Sequence, residues 1–166
     1  DILHYKFELT LSDATDELIG KTSIVILFNT DNSKQLRFDL INRSSELKDK
    51  GMLVESVLFE NSPVSYKHEK NALLIDLPRS FSKNTIATFL VTYRGVPADG
   101  LRIGNTRHGE RSFFNENWPN RTRHWLPTVD HPYDKATNEF IITAPSHYQV
   151  ISNGLLVEES IINANQ

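Results

Sequence analysis

Apolar and polar residues alternate along most of the chain with the period of two that is typical of β-strands. In the first such run Tyr5, Phe7, Leu9 and Leu11 lie on one face, and the polar residues between them lie on the other. Alternation over this length predicts a half-buried strand. The β-branched run at 20–30 follows a polar turn and is expected to pair with this strand as a hairpin.

The same pattern recurs several times, separated by turn residues. Further strands are expected at 35–41, 52–60, 64–68, 72–77, 85–93 and 138–144, with a loop or a single helical turn at 42–51. A last hairpin is predicted at 148–159, because Asn153-Gly154 between two apolar runs favours a turn in which both residues have positive φ. Short strands at this spacing predict an all-β fold, a twisted antiparallel sandwich or saddle.

Regular alternation stops after Tyr93. Residues 94–110 are rich in Gly, Arg and Asn and predict a long irregular excursion. Residues 113–137 then form a dense aromatic and polar stretch that contains both tryptophans of the chain, Trp118 and Trp125. Because an irregular segment held by rigid strands is a common location for binding residues, we expect the functional surface within 113–137.

Composition and charge narrow the classes of function. The 166 residues suffice for one domain with a real core, and the 18 basic and 21 acidic residues give a formal net charge of −3. No stripe of Lys or Arg is present, so nucleic acid is not an expected partner, and no apolar run has the length of a membrane span.

The chain has no cysteine, which excludes disulfides and thiolate metal ligands but leaves the compartment open. No signal peptide is visible, and a periplasmic or secreted location would require that one had been removed.

Candidate catalytic and metal-binding groups are few. None of the six histidines forms an H-E-x-x-H pair, and the sequence contains no G-x-S-x-G elbow, phosphate loop or dinucleotide fingerprint. A zinc site at His124 and His131 is one hypothesis, and a simple turn cap at His131 before Pro132 is the other. Asp130 and Asp134 flank that proline, and we interpret them as turn residues rather than as a catalytic pair.

Three further side chains of the segment are candidates for ligand contact. Glu116, between two asparagines, is suited to bind a cation such as an ammonium group if it lies in a cleft, and is otherwise a plain surface acid. Trp118 and Trp125 are candidates either for a platform that stacks on sugar or peptide, or for anchors that hold the loop on the sheet.

Residues 127–137 (PTVDHPYDKAT) resemble the P-C-x-D-E-P-x-x-K-A-T signature of the aminopeptidase N family of zinc metallopeptidases, which includes the leukotriene hydrolases. Residues 115–119 (NENWP) and Arg123 stand at the spacing of the family's x-Q-x-E-P or x-Q-x-Q segment and its arginine. Weaker similarities to the same domain lie at 5–11, 22–28 and the Ser-Asn-Gly of 152–154.

The resemblance implies the N-terminal β domain of a larger enzyme, a zinc aminopeptidase that removes N-terminal residues from peptides. Zinc and all catalytic groups would belong to a following domain outside this chain. Residues 1–166 would then be a single domain that ends part-way through a longer polypeptide and packs on its own catalytic domain. The fragment would contain no catalytic residue and no metal ligand, and is expected to be inactive alone. The family's substrate-binding positions correspond to Glu116, Asn117 and Trp118, which would form one wall of the cleft.

Four positions depart from the family pattern. Thr128 replaces the usual Cys, and His131 replaces the usual Glu. Glu116 stands where the family commonly has Gln, at the pocket for the first side chain, and Trp118 stands where Glu or Gln helps to hold the amino group of the substrate. Whether Glu116 or Trp118 anchors the amine is therefore open. A non-enzymatic β-sandwich module that binds glycan or protein through Trp118 and Trp125 is the alternative function.

Overall fold

The computed structural model describes residues 1–163. The expectation that the domain ends part-way through a longer polypeptide concerns the end of the chain, which lies outside the described residues. The strands are β1 Ile2–Thr10, β2 Leu18–Leu27, β3 Gln35–Asp39, β4 Gly51–Phe59, β5 Ser62–Pro63, β6 Tyr66–Glu69, β7 Ala72–Asp76, β8 Ile86–Val96, β9 Leu101–Asn105, β10 Arg111–Asn115 and β11 Thr137–Thr143. The helical elements described are two short 3-10 helices, Ser45–Leu47 and Thr122–His124. The predicted all-β class is confirmed.

The strands form three sheets. One has six strands in the order β11-β1-β2-β8-β4-β5, one has three in the order β3-β7-β6, and β9 and β10 form a hairpin. β1 and β2 pair antiparallel as predicted, with Phe7 opposite Thr22. β11 instead runs parallel to β1, with Phe7 opposite Phe140. The large sheet is therefore mixed rather than purely antiparallel, which is possible because β1 and β11 are separated by most of the chain and not by a tight turn.

One apolar core is shared by the six-stranded and three-stranded sheets. The inward face of β1 is buried at Tyr5, Phe7 and Leu9, as the alternation predicts. Phe89 of β8 belongs to the same cluster as Leu73 of β7, which joins the two sheets into a sandwich. No helix in residues 1–163 is both long and apolar enough to cross a membrane.

Two predictions for the second half of the chain are wrong. Residues 94–110 are not an irregular excursion, because β8 continues to Val96 and β9 pairs with β10. The hairpin at 148–159 is absent, since the described part of the chain has no strand after Thr143. Asn153 and Gly154 do not adopt the positive φ of the expected turn, and the apolar side chains beside them are exposed and do not face a partner strand.

Candidate functional site

The segment with the candidate residues begins where the β9-β10 hairpin ends. The backbone N–H of Glu116 donates to the carbonyl oxygen of Gly100 at 2.8 Å, so the hairpin ladder continues one residue past β10. Gly100 has φ +76, and a Cβ there would lie 2.4 Å from the carbonyl oxygen of Arg121. Only glycine permits this close approach in that conformation. Residues 116–118 therefore follow directly from a rigid hairpin.

Glu116 is hydrogen-bonded to Arg121 through one oxygen, which Arg102 also approaches. Its Oε2 atom lies 3.2 Å from the guanidinium of Arg121 and 3.6 Å from that of Arg102. Arg121 is held in turn by Asp99, at 3.4 Å. The Oε1 atom of Glu116 has no partner among the described residues, and the side chain is 48% exposed. The carboxylate thus has a set orientation and one oxygen available to a cation.

Asn117 connects the segment to the core. Its Oδ1 accepts a hydrogen bond at 3.0 Å from the indole Nε1 of Trp125, and its backbone oxygen accepts one from Arg121 at 2.9 Å. Trp125 is only 4% exposed and stacks on Phe140 of β11. Asn117 therefore positions the loop with its side-chain oxygen, and its amide nitrogen is the group left for a ligand.

The two tryptophans have opposite environments. Trp118 is 78% exposed and is joined to Pro119 by a cis peptide bond, whereas Trp125 is buried. Of the two interpretations offered by the sequence, Trp125 is an anchor, and a two-tryptophan platform is excluded. Phe114 of β10, 61% exposed, adds apolar surface on the hairpin that leads to Trp118.

A second ion network holds the far end of the segment. The Nε of Arg123 lies 3.0 Å from Oδ2 of Asp130, and its guanidinium also lies 3.5 Å from Oδ2 of Asp39. Both carboxylates are largely buried. Backbone bonds between Asp39 and Thr128 add a bridge to the end of β3. The segment 116–130 is consequently fixed at both ends.

The histidines and aspartates of the segment do not form a metal site. Burial lowers the pKa of His124, whose Nδ1 has no hydrogen-bond partner in the described chain. The Nδ1 of His131 accepts a hydrogen bond from the backbone N–H of Tyr133, which confirms the turn cap. Asp134 accepts one from the N–H of Ile2, and Asp130 is paired with Arg123. Within residues 1–163 no group of three or more potential ligands is arranged to hold a metal ion. The zinc hypothesis for His124 and His131 is therefore not supported.

Several residues that shape this site were not found from the sequence. Arg102, Arg121 and Asp99 surround Glu116, and Asp39 comes from a strand far away in the chain. Arg102 lies opposite Phe114 in the hairpin, a relationship that becomes visible only when β9 is recognised and its register is known.

Solved structures with the same fold include an M1 zinc metallopeptidase and an LTA4 hydrolase. The M1 zinc metallopeptidase of Deinococcus radiodurans has a TM-score of 0.79 and 24% identity over 98% of this chain and 36% of its own. A mutant of that enzyme bound to a Tyr-Ser-Ala substrate has a TM-score of 0.80 and 22% identity over 98% of this chain and 37% of its own. Yeast LTA4 hydrolase has a TM-score of 0.77 and 19% identity over 98% of this chain and 25% of its own. The chain thus spans between a quarter and two fifths of these proteins, and at such identities the likeness establishes the fold.

A profile of the Peptidase M1 N-terminal domain matches residues 2–166. No curated protein matches the chain. The match covers almost every residue, including both strands of the first hairpin and the segment that carries Glu116 and Trp118. The chain belongs to the family of Peptidase M1 N-terminal domains.

Proposed function

We propose that this domain forms one wall of the substrate cleft of a zinc aminopeptidase and contacts the peptide through Glu116, Asn117 and Trp118. The observation that carries the proposal is the pairing of Glu116 by its Oε2 alone, next to an exposed tryptophan. A carboxylate with a fixed orientation and a free oxygen loses little conformational entropy when it binds a cation. A large exposed aromatic surface beside it suits an apolar side chain.

Glu116 is the better candidate for the amine anchor. Its Oε1 can accept a charge-assisted hydrogen bond from the substrate ammonium. The indole of Trp118 offers a donor and a π face but no acceptor of comparable strength. Trp118 is therefore assigned to the first apolar side chain, and Asn117 Nδ2 to a carbonyl of the peptide.

Zinc and the catalytic groups are proposed to belong to another part of the whole protein, which packs on this domain. Membership in the M1 family supports a metallopeptidase, and the related Deinococcus enzyme has been solved with a tripeptide substrate. When bound there, zinc would supply the Lewis-acid chemistry by which a scissile carbonyl is polarised or a water molecule activated. The role of the described residues is to bind and orient the peptide, and no catalytic group is assigned to them.

The proposal is tested by comparing the whole protein with the isolated 166-residue chain on a panel of aminoacyl amides. The whole protein should release N-terminal residues and lose that activity when zinc is removed by a chelator. The isolated chain should give no turnover with or without added zinc. Zinc-dependent turnover by the isolated chain, or none by the zinc-loaded whole protein, would contradict the proposal.

A non-enzymatic binding module for glycan or protein is the second candidate, because Trp118 is so exposed. The burial of Trp125 removes half of the platform on which that function would rest. A whole protein that binds glycan through Trp118, loses binding on Trp118→Ala and cleaves no peptide would establish this alternative.

A further inference from the structure

A cavity of about 280 Å³ lies beside the Glu116 ion pairs. It is lined by the end of β8, the start of β9 and the residues that precede β2 and β4. Its charged lining residues are Asp16, Lys50, Asp99 and Arg102, with apolar residues from 96–103 between them. Arg102 belongs to both places, because it lines the cavity and also contacts Glu116. The cavity is thus one side chain away from the proposed amine anchor.

The two acids of the cavity are each paired with an arginine outside its lining. Asp16 pairs with Arg111 at 2.7 Å through its Oδ1. Asp99 pairs with Arg121 through its Oδ2, and its Oδ1 accepts the backbone N–H of Gly100 at 2.8 Å. Asp99 therefore has both carboxylate oxygens engaged, whereas Asp16 is paired through Oδ1 and its Oδ2 has no partner in the described chain.

The two cations of the cavity are, by contrast, poorly paired. In the described chain Lys50 has no ion pair, and Arg102 has only the contact of 3.6 Å to Glu116, which is longer than a hydrogen bond. That contact goes to the oxygen to which Arg121 is closer. Arg102 is also 63% exposed. Most of its N–H donors are consequently free for a planar anion, which a guanidinium binds with two parallel hydrogen bonds.

We propose that this cavity binds a carboxylate of the peptide substrate, with Lys50 and Arg102 as its partners. The inference rests on the proposed function and names the substrate class, namely short or N-terminally acidic peptides. The carboxylate is either an acidic side chain close to the amino terminus or the C-terminal carboxylate of a very short peptide. Both place an anion near Arg102 while the ammonium contacts Glu116.

The test uses the whole protein and matched peptides. One pair has Glu or Gln at the second position, and another has a free or an amidated C-terminus in a tripeptide. We expect a preference of about tenfold in kcat/KM for the anionic member of at least one pair, equivalent to about 1.4 kcal/mol. The pair that shows it identifies the source of the carboxylate. The Lys50→Gln and Arg102→Gln double variant should reduce the preference to within twofold.

A control variant and a charge reversal test whether the preference comes from this site, and not from the overall charge of the protein or from misfolding. Lys67→Gln, on β6 in the other sheet, should retain the full preference. Arg102→Glu should reverse it and favour a Lys at the same peptide position, with an unchanged melting temperature. A general loss of activity with no change in the acid-to-amide ratio would overturn the proposal, because it would indicate a structural role alone.

Binding separates this inference from the proposed function. The same acid and amide peptides are titrated into the whole protein by calorimetry. A preference for the acid that disappears in the double variant supports the anion site even if no peptide is cleaved, and in that case the proposed function fails. Peptide cleavage with equal affinity and equal kcat/KM for acid and amide supports the proposed function and overturns the anion site.

Discussion

The indole N–H of Trp125 donates a hydrogen bond to Oδ1 of Asn117 at 3.0 Å, and this bond joins the buried core to the exposed loop. Trp125 packs against Phe140 on the edge of the large sheet. Asn117 lies between Glu116 and Trp118, so their backbone is fixed relative to the sheet. The proposed substrate contacts are therefore arranged before any ligand binds.

Asn117→Ala should destabilise the protein by roughly 1–3 kcal/mol, because it leaves a buried indole N–H without an acceptor. Asn120→Ala, at an exposed position of the same loop, is the control and should change stability by less than about 0.5 kcal/mol. Urea unfolding monitored by tryptophan fluorescence measures both. Equal stability of the two variants would mean that the bond does not hold the loop.

Arg123→Met should cost roughly 3–5 kcal/mol, because it leaves the buried carboxylates of Asp39 and Asp130 without their shared partner. Arg37 also pairs with Asp39, at 2.9 Å, but its own side chain is mostly exposed. Arg37→Met should therefore cost less than about 1 kcal/mol. The free energies of unfolding of the two variants, measured by chemical denaturation, show whether burial determines how much each ion pair stabilises the protein. A larger decrease for Arg37→Met than for Arg123→Met would refute that explanation.

The free energy of unfolding should decrease as the pH falls below about 6.5, before the pH is low enough to protonate carboxylates. Burial lowers the pKa of His68 and His124 below the ordinary value of 6.5. As the pH falls, the unfolded chain takes up these protons before the folded chain does, so the free energy of unfolding decreases from about 6.5 downwards. His68→Gln removes one titrating group and keeps an N–H donor for the carbonyl of Leu40.

The measurement is the free energy of unfolding between pH 8 and 5, with His68→Gln expected to reduce its slope. A slope of the same size in wild type and variant would show that His68 does not contribute. If the free energy of unfolding of the wild-type protein instead rose as the pH was lowered from 6.5 to 5.5, the predicted direction of the pKa shifts of both histidines would be contradicted.

Strands with an alternating pattern were predictable because each buries one face. β1, β2 and the β6-β7 hairpin lie where the pattern indicates them. β9 was missed because it is short, contains only Leu101 and Ile103 as apolar residues and includes a glycine. The hairpin at 148–159 was predicted from its turn residues, but turn chemistry alone does not form a hairpin whose strands find no partner surface.

The sequence identifies the candidate residues, but it does not reveal the contacts that hold them. The exposed Trp118 and the acid at Glu116 were identified by residue type and by the resemblance to the family. Arg102 and Arg121, which orient Glu116, come together only through the register of β9 and β10 and the following 3-10 helix. Asp39, at the end of β3 and far away in the sequence, pairs with Arg123. Such long-range pairs are properties of the fold, and no local pattern encodes them.

The most direct test of the proposed substrate contact is kcat/KM of Glu116→Ala in the whole protein, over aminoacyl amides with apolar, acidic and basic first residues. A charge-assisted hydrogen bond of roughly 1.5–3 kcal/mol predicts a loss of about one to two powers of ten. If Glu116 holds the ammonium, all substrates should lose alike at an unchanged melting temperature, whereas Trp118→Ala should affect mainly apolar first residues. A Glu116→Ala enzyme within about twofold of wild type on every substrate, or about 0.4 kcal/mol, would show that Glu116 is only a surface acid.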